Sequence, residues 1–133
     1  MILSKRECEY LKEFYASDET LLTPTYFSKK YGVARATAQK IINKLNEKGF
    51  LLRIKGKGYI LSDEGRRMAS YLYRRHMVLE YALWKAGLSK EYACILAAKI
   101  ENGLSEEDVE TLWLAVGKPT KCPCGYSIPE VKV

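Results

Sequence analysis

His76 stands four residues before Glu80. In a helix that spacing sets both side chains on one face. An imidazole and a carboxylate so placed suit one divalent metal ion. The competing reading is a histidine packed at a dimer seam beside a surface carboxylate. Cys94, Ala98, Glu101 and Asn102 follow at i, i+4, i+7 and i+8, again one helical face. Cys122-Pro123-Cys124-Gly125 reads as a tight, non-helical turn able to offer two sulfurs to one centre. With Cys8 these are the chain's four cysteines, and four thiolates would suit tetrahedral zinc or an iron–sulfur cluster. The alternatives are that Cys8 and Cys94 are small core residues with an incidental tail pair, or that the thiols form a redox switch. Enzyme chemistry finds no foothold. There is one histidine, Gly56-Lys57-Gly58 lacks the strand–helix context of a phosphate loop, and no nucleophile pairs with a base at a usable spacing.

The elements that must position these residues follow from periodicity. Residues 4–16 read as a helix with Ser4 as cap, with Leu3, Tyr10, Leu11, Phe14 and Tyr15 at helical spacing, ending at Ser17-Asp18. A short helix over 24–31 starts on Pro24 and closes at Gly32. Another spans 34–48, with Ala38, Ile41, Ile42 and Leu45 facing a core. Leu52-Arg53-Ile54-Lys55 alternates apolar with basic, as a half-buried strand does, and returns through Gly56-Lys57-Gly58 to Tyr59-Ile60-Leu61. Ser62 caps a long helix reaching about residue 86. Ser89 opens a helix through about Asn102. Ser105 and Asp108 cap a last one to about Val116. The tail from Lys118 has no periodicity.

Two short helices joined by a tight turn, then a two-stranded hairpin, make a winged helix-turn-helix pattern. The second helix of such a pair enters the major groove. Here it offers Arg35, Thr37, Gln39 and Lys40 to base edges or phosphates, with small residues at 34, 36 and 38 allowing close approach. Lys29, Lys30, Lys44, Arg53, Lys55 and Lys57 are candidates for the DNA backbone. Charge agrees. The 133 residues carry a net +6, but residues 1–75 hold 16 Lys/Arg against 8 Asp/Glu, and the remainder hold 6 against 8. A basic first part points to a polyanion. A winged helix used only for protein contact is the competing reading.

The length suits a chain that buries its own core. With 47% hydrophobic and 29% charged residues, disorder is not expected. The longest apolar run, Ala93 to Ala98, is far short of the roughly 20 residues of a membrane span, and Met1 to Arg6 lacks a signal-peptide core. A soluble, cytoplasmic protein is expected.

The chain also resembles the iron- and manganese-dependent repressors, the diphtheria toxin repressor and manganese transport regulator family. The carriers are Glu9-Tyr10-Leu11 with Tyr15, Val33 to Gly49, Leu61 to Arg66, Arg74-Arg75-His76 with Glu80, Ile100 to Ser105, and Cys122-Pro123 with Gly125 and Ile128-Pro129. The resemblance covers most of the chain and matches the short form, without the C-terminal barrel domain. It implies a homodimer that pairs through the helices after the wing, binds a palindromic operator and represses when a metal is bound. It also implies that His76, Glu80, Glu101 and position 94 are ligands, with Glu9 where the family places a methionine or aspartate ligand. Ala98 and Asn102 depart from that pattern, so the family's usual primary site loses two ligands. His76, Glu80 and Cys94 could still hold a metal.

The fold expected is mainly α. A winged helix-turn-helix DNA-binding domain occupies 1–62, and a helical dimerisation and metal-sensing domain with a Cys-containing tail occupies 63–133. The function expected is a regulator of transcription, a repressor, answering to iron, manganese, zinc or an iron–sulfur cluster. Candidate ligands are Cys8, Glu9, His76, Glu80, Cys94, Glu101, Cys122 and Cys124. The rival readings are an interaction module with no effector and a thiol-redox regulator.

Overall fold

The computed structural model describes residues 3–17 and 21–131, so Asp18 of the expected break lies outside the described residues. The chain forms two compact units, Met1–Ser70 and Tyr71–Val133.

In the first unit, α1 (Lys5–Ala16) begins with a reciprocal cap. The Glu7 amide donates to Ser4 Oγ at 3.1 Å and the Ser4 amide to Glu7 Oε1 at 3.0 Å. That pairing satisfies two of the donors a helix start leaves open. Thr23 caps α2 (Pro24–Tyr31), and Gly32 ends it in the left-handed conformation, φ 63°. Helix α3 (Arg35–Glu47) buries Ala38, Ile42 and Leu45. Tyr10 of α1 stacks on Phe27 of α2 at 4.2 Å between ring centres, and both are fully buried. Tyr15, expected on the apolar face, is exposed instead. It lies one residue beyond Phe14, and adjacent helical residues diverge by about 100°.

The wing is β1 (Leu51–Ile54) paired antiparallel with β2 (Gly58–Leu61), Leu51 opposite Leu61. The strand starts one residue earlier than expected. Leu51 and Leu61 are buried together, and the two-residue alternation then turns Leu52 outward. Leu22 adds a bridge to Tyr59, with the Leu22 amide donating to the Tyr59 carbonyl at 3.0 Å and the Tyr59 amide to the Leu22 carbonyl at 2.9 Å. Helix α4 (Asp63–Lys85) starts under Ser62, whose Oγ accepts from the Gly65 amide and donates to the Gly49 carbonyl. A Cβ at residue 65 would stand 1.9 Å from the Phe50 carbonyl oxygen, so only glycine fits.

In the second unit, α5 (Lys90–Ile100) is capped by Ser89 and α6 (Glu106–Ala115) by the Ser105–Asp108 box. The α-helix expected through Asn102 stops at Ile100, and Glu101–Gly103 tighten into a 3-10 turn. Val78, Val109 and Ile128 form one core cluster of this unit, covered by Tyr71, Met77, Leu104, Leu112 and Trp113. Besides Ile128, hydrogen bonds hold the tail near both its ends. Trp113 Nε1 donates to the Pro119 carbonyl at 3.0 Å, and Arg74 Nη1 donates to the Pro129 carbonyl at 3.0 Å. The Arg74 guanidinium also lies over the Trp113 ring and binds Glu110 through Nε and Nη2. Between those anchors Lys121 bridges Ser127, and the Gly125 amide donates to the Cys122 carbonyl at 2.9 Å. No helix among the described residues is long and apolar enough to cross a membrane.

Candidate metal centre and nucleic-acid face

His76 and Glu80 lie one turn apart on α4, and Cys94 comes from α5. Their donor atoms all lie within 4.8 Å of one another, the one such group of three among the described residues. His76 Nε2 is 3.5 Å from Cys94 Sγ and 3.7 Å from Glu80 Oε2. Ligands held at about 2.0–2.3 Å from one ion stand roughly 3–4 Å apart, so the group is already near the size of a single coordination sphere.

The other ring nitrogen is engaged as well. His76 Nδ1 lies 2.7 Å from Glu101 Oε2, with Glu101 itself buried. A carboxylate on Nδ1 holds the proton there and leaves the Nε2 lone pair facing Cys94 and Glu80. The residues therefore fit a metal on the chemistry of their donors: imidazole nitrogen, carboxylate oxygen and sulfur, with the imidazole tautomer already set. Glu80 is buried and His76 half-buried. Burial pushes the Cys94 thiol up to about 11, helped by its hydrogen bond to Glu80 and by the charges of Glu80, Cys124 and Glu101. Without a cation the thiol keeps its proton.

Cys124 stands close enough for the Glu80 charge to be the main cause that raises its thiol, and Cys94 feels Cys124 in turn. It is exposed, whereas Cys122 is buried with its amide donating to the Tyr126 carbonyl. The turn expected from Cys-Pro-Cys-Gly is present, but its two sulfurs face different surroundings. Cys8 is buried within the first unit and Glu9 forms an ion pair with Arg6 at 2.9 Å. Asn102 is occupied too. Its Oδ1 accepts from Arg75 Nη2 at 2.7 Å, and that buried arginine also lies over Tyr71. Arg75 and Arg74 carry site-building roles that sequence reasoning missed, because nothing local to either names a partner 27 or 36 residues away.

On the first unit, Arg35, Thr37, Lys40 and Lys44 are exposed on α3, and Arg53, Lys55 and Lys57 on the wing. Lys29 and Lys30 are exposed at the end of α2, but Lys30 pairs with Glu13 at 2.5 Å. Gln39 is half-buried and reaches Tyr59 on the wing, a contact with no signal in the sequence.

A family model described as the iron dependent repressor, metal binding and dimerisation domain matches residues 62–130. The transcriptional regulator MntR of Salmonella typhimurium is 31% identical over 81 residues, 61% of this chain and 52% of its own length. The iron-dependent repressor IdeR of Mycobacterium tuberculosis is 27% identical over 124 residues, 90% of this chain and 54% of its own. The chain thus spans about half the length of the curated relatives it matches. Among solved structures, the hypothetical protein SSo2273 from Sulfolobus solfataricus superposes with a TM-score of 0.86 at 29% identity, covering 96% of this chain and 100% of that one. ScaR with bound Zn2+ gives 0.83 at 29% identity, covering 93% and 59%. MntR and IdeR are regulators of transcription, in keeping with a sequence that offers no enzyme motif. Matched by that model over more than half of its residues, the chain belongs to the family of iron-dependent repressors.

Proposed function

We propose that the protein is a metal-responsive repressor of transcription that binds a palindromic operator as a homodimer. The observation that carries this reading is the convergence of His76, Glu80 and Cys94 within 4.8 Å, with Glu101 on the second ring nitrogen of His76. These three residues would hold the ion, and Cys124, whose thiol is raised chiefly by the Glu80 charge, is a candidate for a fourth position. Glu101 orients the imidazole rather than binding. The thiolate favours a borderline ion such as zinc or iron(II) over manganese. The donor set is that of a single ion, and nothing supports a cluster.

When bound, the ion supplies positive charge that neutralises Glu80 and the Cys94 thiolate and cross-links α4 to α5. The chain's own residues supply the rest. Arg74 and Trp113 hold the tail that carries Cys124. The basic face of α3 and the wing meets DNA phosphates, and phosphate neutralisation makes affinity fall with salt. The ion strengthens DNA binding only if it binds the DNA-competent state more tightly, and by reciprocity DNA must then tighten the ion.

Anaerobic purification with metal analysis, followed by a gel shift on the DNA upstream of the protein's own coding sequence, tests the reading. One ion per chain, lost in Cys94→Ala and His76→Ala along with the shift, is the expected result. Full operator binding by metal-free protein would overturn the co-repressor role. Binding indifferent to sequence would overturn the repressor.

A further inference from the structure

The reading helix carries one side chain whose hydrogen-bonding options are already restricted before any DNA arrives. Gln39 Nε2 donates to Asn43 Oδ1 at 2.8 Å and to the Tyr59 hydroxyl at 3.3 Å. A primary amide nitrogen has two hydrogens, and these two bonds use both. What remains is Oε1, which only accepts.

The two partners differ in how firmly they hold: Asn43 is exposed and its bond to Gln39 lies at the surface, whereas Tyr59 is fixed. Asn43 is one turn along the same helix. Tyr59 is buried on β2, and its amide and carbonyl are both bonded to Leu22. The neighbouring Gly58 lies so close to that connector that a Cβ there would be 2.8 Å from the Leu22 carbonyl oxygen. The hydroxyl is therefore anchored by the base of the wing, and the Gln39 amide is held by the hydroxyl.

A free glutamine in the major groove reads adenine with both ends of its amide, accepting from N6 and donating to N7. A glutamine with only its oxygen to offer reads differently. Adenine presents the N6 amino group and cytosine the N4 amino group, both donors. Guanine and thymine present acceptors there, which an oxygen repels. We propose that Gln39 is a specificity-determining residue that accepts a hydrogen bond from adenine or cytosine without telling them apart, and that Tyr59 is the positioning residue that imposes this. The inference rests on the DNA-binding reading above.

Selection from a randomised duplex library, using the full chain with Zn2+ present, tests it. Gln39→Ala identifies the operator position that the residue reads. At that position the unaltered protein should enrich adenine and cytosine within about twofold of each other and deplete guanine and thymine. Tyr59→Phe returns one amide hydrogen for adenine N7, and adenine should then exceed cytosine by about fivefold or more, the lower end for a two-bond contact. Gln39→Glu is an acceptor whatever its neighbours do, so it should keep the adenine-or-cytosine choice at lower affinity. Guanine or thymine at the Gln39-dependent position would overturn the inference and leave the repressor reading intact. So would a strict adenine that Tyr59→Phe does not change. Failure of the unaltered protein to enrich any sequence would overturn both.

Discussion

In the proposed metal site Glu101 stands behind the imidazole, 2.7 Å from His76 Nδ1. Its carboxylate fixes which ring nitrogen of His76 is free. Removing such a partner lowers metal affinity by about 10–100-fold without removing a donor. Glu101→Ala should therefore bind Zn2+ more weakly by that factor in competition with a chromogenic chelator, and Glu101→Gln should recover most of the loss, because its amide oxygen still accepts from Nδ1. The thiol gives a second test. Its apo value of about 11 lies above the ordinary 9, so at neutral pH the proton is on and must leave when metal binds. A proton that competes with the ion makes affinity rise with pH. For that one proton the rise is about tenfold per pH unit through neutrality. Calorimetry in buffers of different ionisation enthalpy should record the released proton, and Cys94→Ser should change that count. Histidine and carboxylate at i and i+4 were legible in the sequence as neighbours on one helical face. Glu101 was legible only as a candidate donor, because its bond to His76 crosses 25 residues of chain.

Among the elements, the junction of wing and long helix is the tightest. The Ser62 amide donates to the Phe50 carbonyl at 3.0 Å, and Gly65 lies directly against the same carbonyl. Backbone cannot move aside as a flexible side chain would. Gly65→Ala should cost about 3 kcal/mol, near the upper end for overpacking, and show as a lowered urea midpoint with the slope unchanged. The link between α1 and the end of α3 yields a pH-dependent counterpart. Burial works to raise the Glu7 carboxyl, but the Lys48 ammonium at 2.7 Å and the Ser4 cap outweigh it, so its acid strength rises. A carboxyl depressed in the folded state stabilises above its unfolded value and stops doing so as pH falls through the folded one. Lys48→Met should flatten the acid limb of the stability curve below about pH 5 and cost about 1 kcal/mol at neutrality. Helix ends were the best-read features of the sequence, since caps such as Ser4–Glu7 and Ser105–Asp108 work within one turn. The first wing strand was placed one residue late, because Leu51 and Leu52 differ only in what lies across from them.

For the whole molecule, apolar exposure and charge are the relevant quantities. Tyr92 and Ile95, one turn apart on α5, are each 53% exposed, and Trp84 on α4 is 38% exposed. Isolated exposed apolar residues are ordinary, but the pair Tyr92 and Ile95, one turn apart on α5 in a unit matched by a dimerisation domain, is the proposed pairing face. If the proposed homodimer pairs through this face, Ile95→Glu should give a monomer by light scattering, with secondary structure retained by circular dichroism. Operator affinity should then fall, since one half-site alone would be held. The sequence by itself determined the order of elements, the basic first part, the helix-turn-helix with its wing and the pairing of His76 with Glu80, because periodicity, caps and charge are properties of residues within a turn or two of one another. Only the tertiary structure brought Cys94 to His76 across 18 residues, put Glu101 behind the imidazole, closed Asn102 with Arg75 and pinned Gln39 to Tyr59. Those contacts depend on how helices and strands pack, and packing is set by the whole core at once rather than by any local run of sequence.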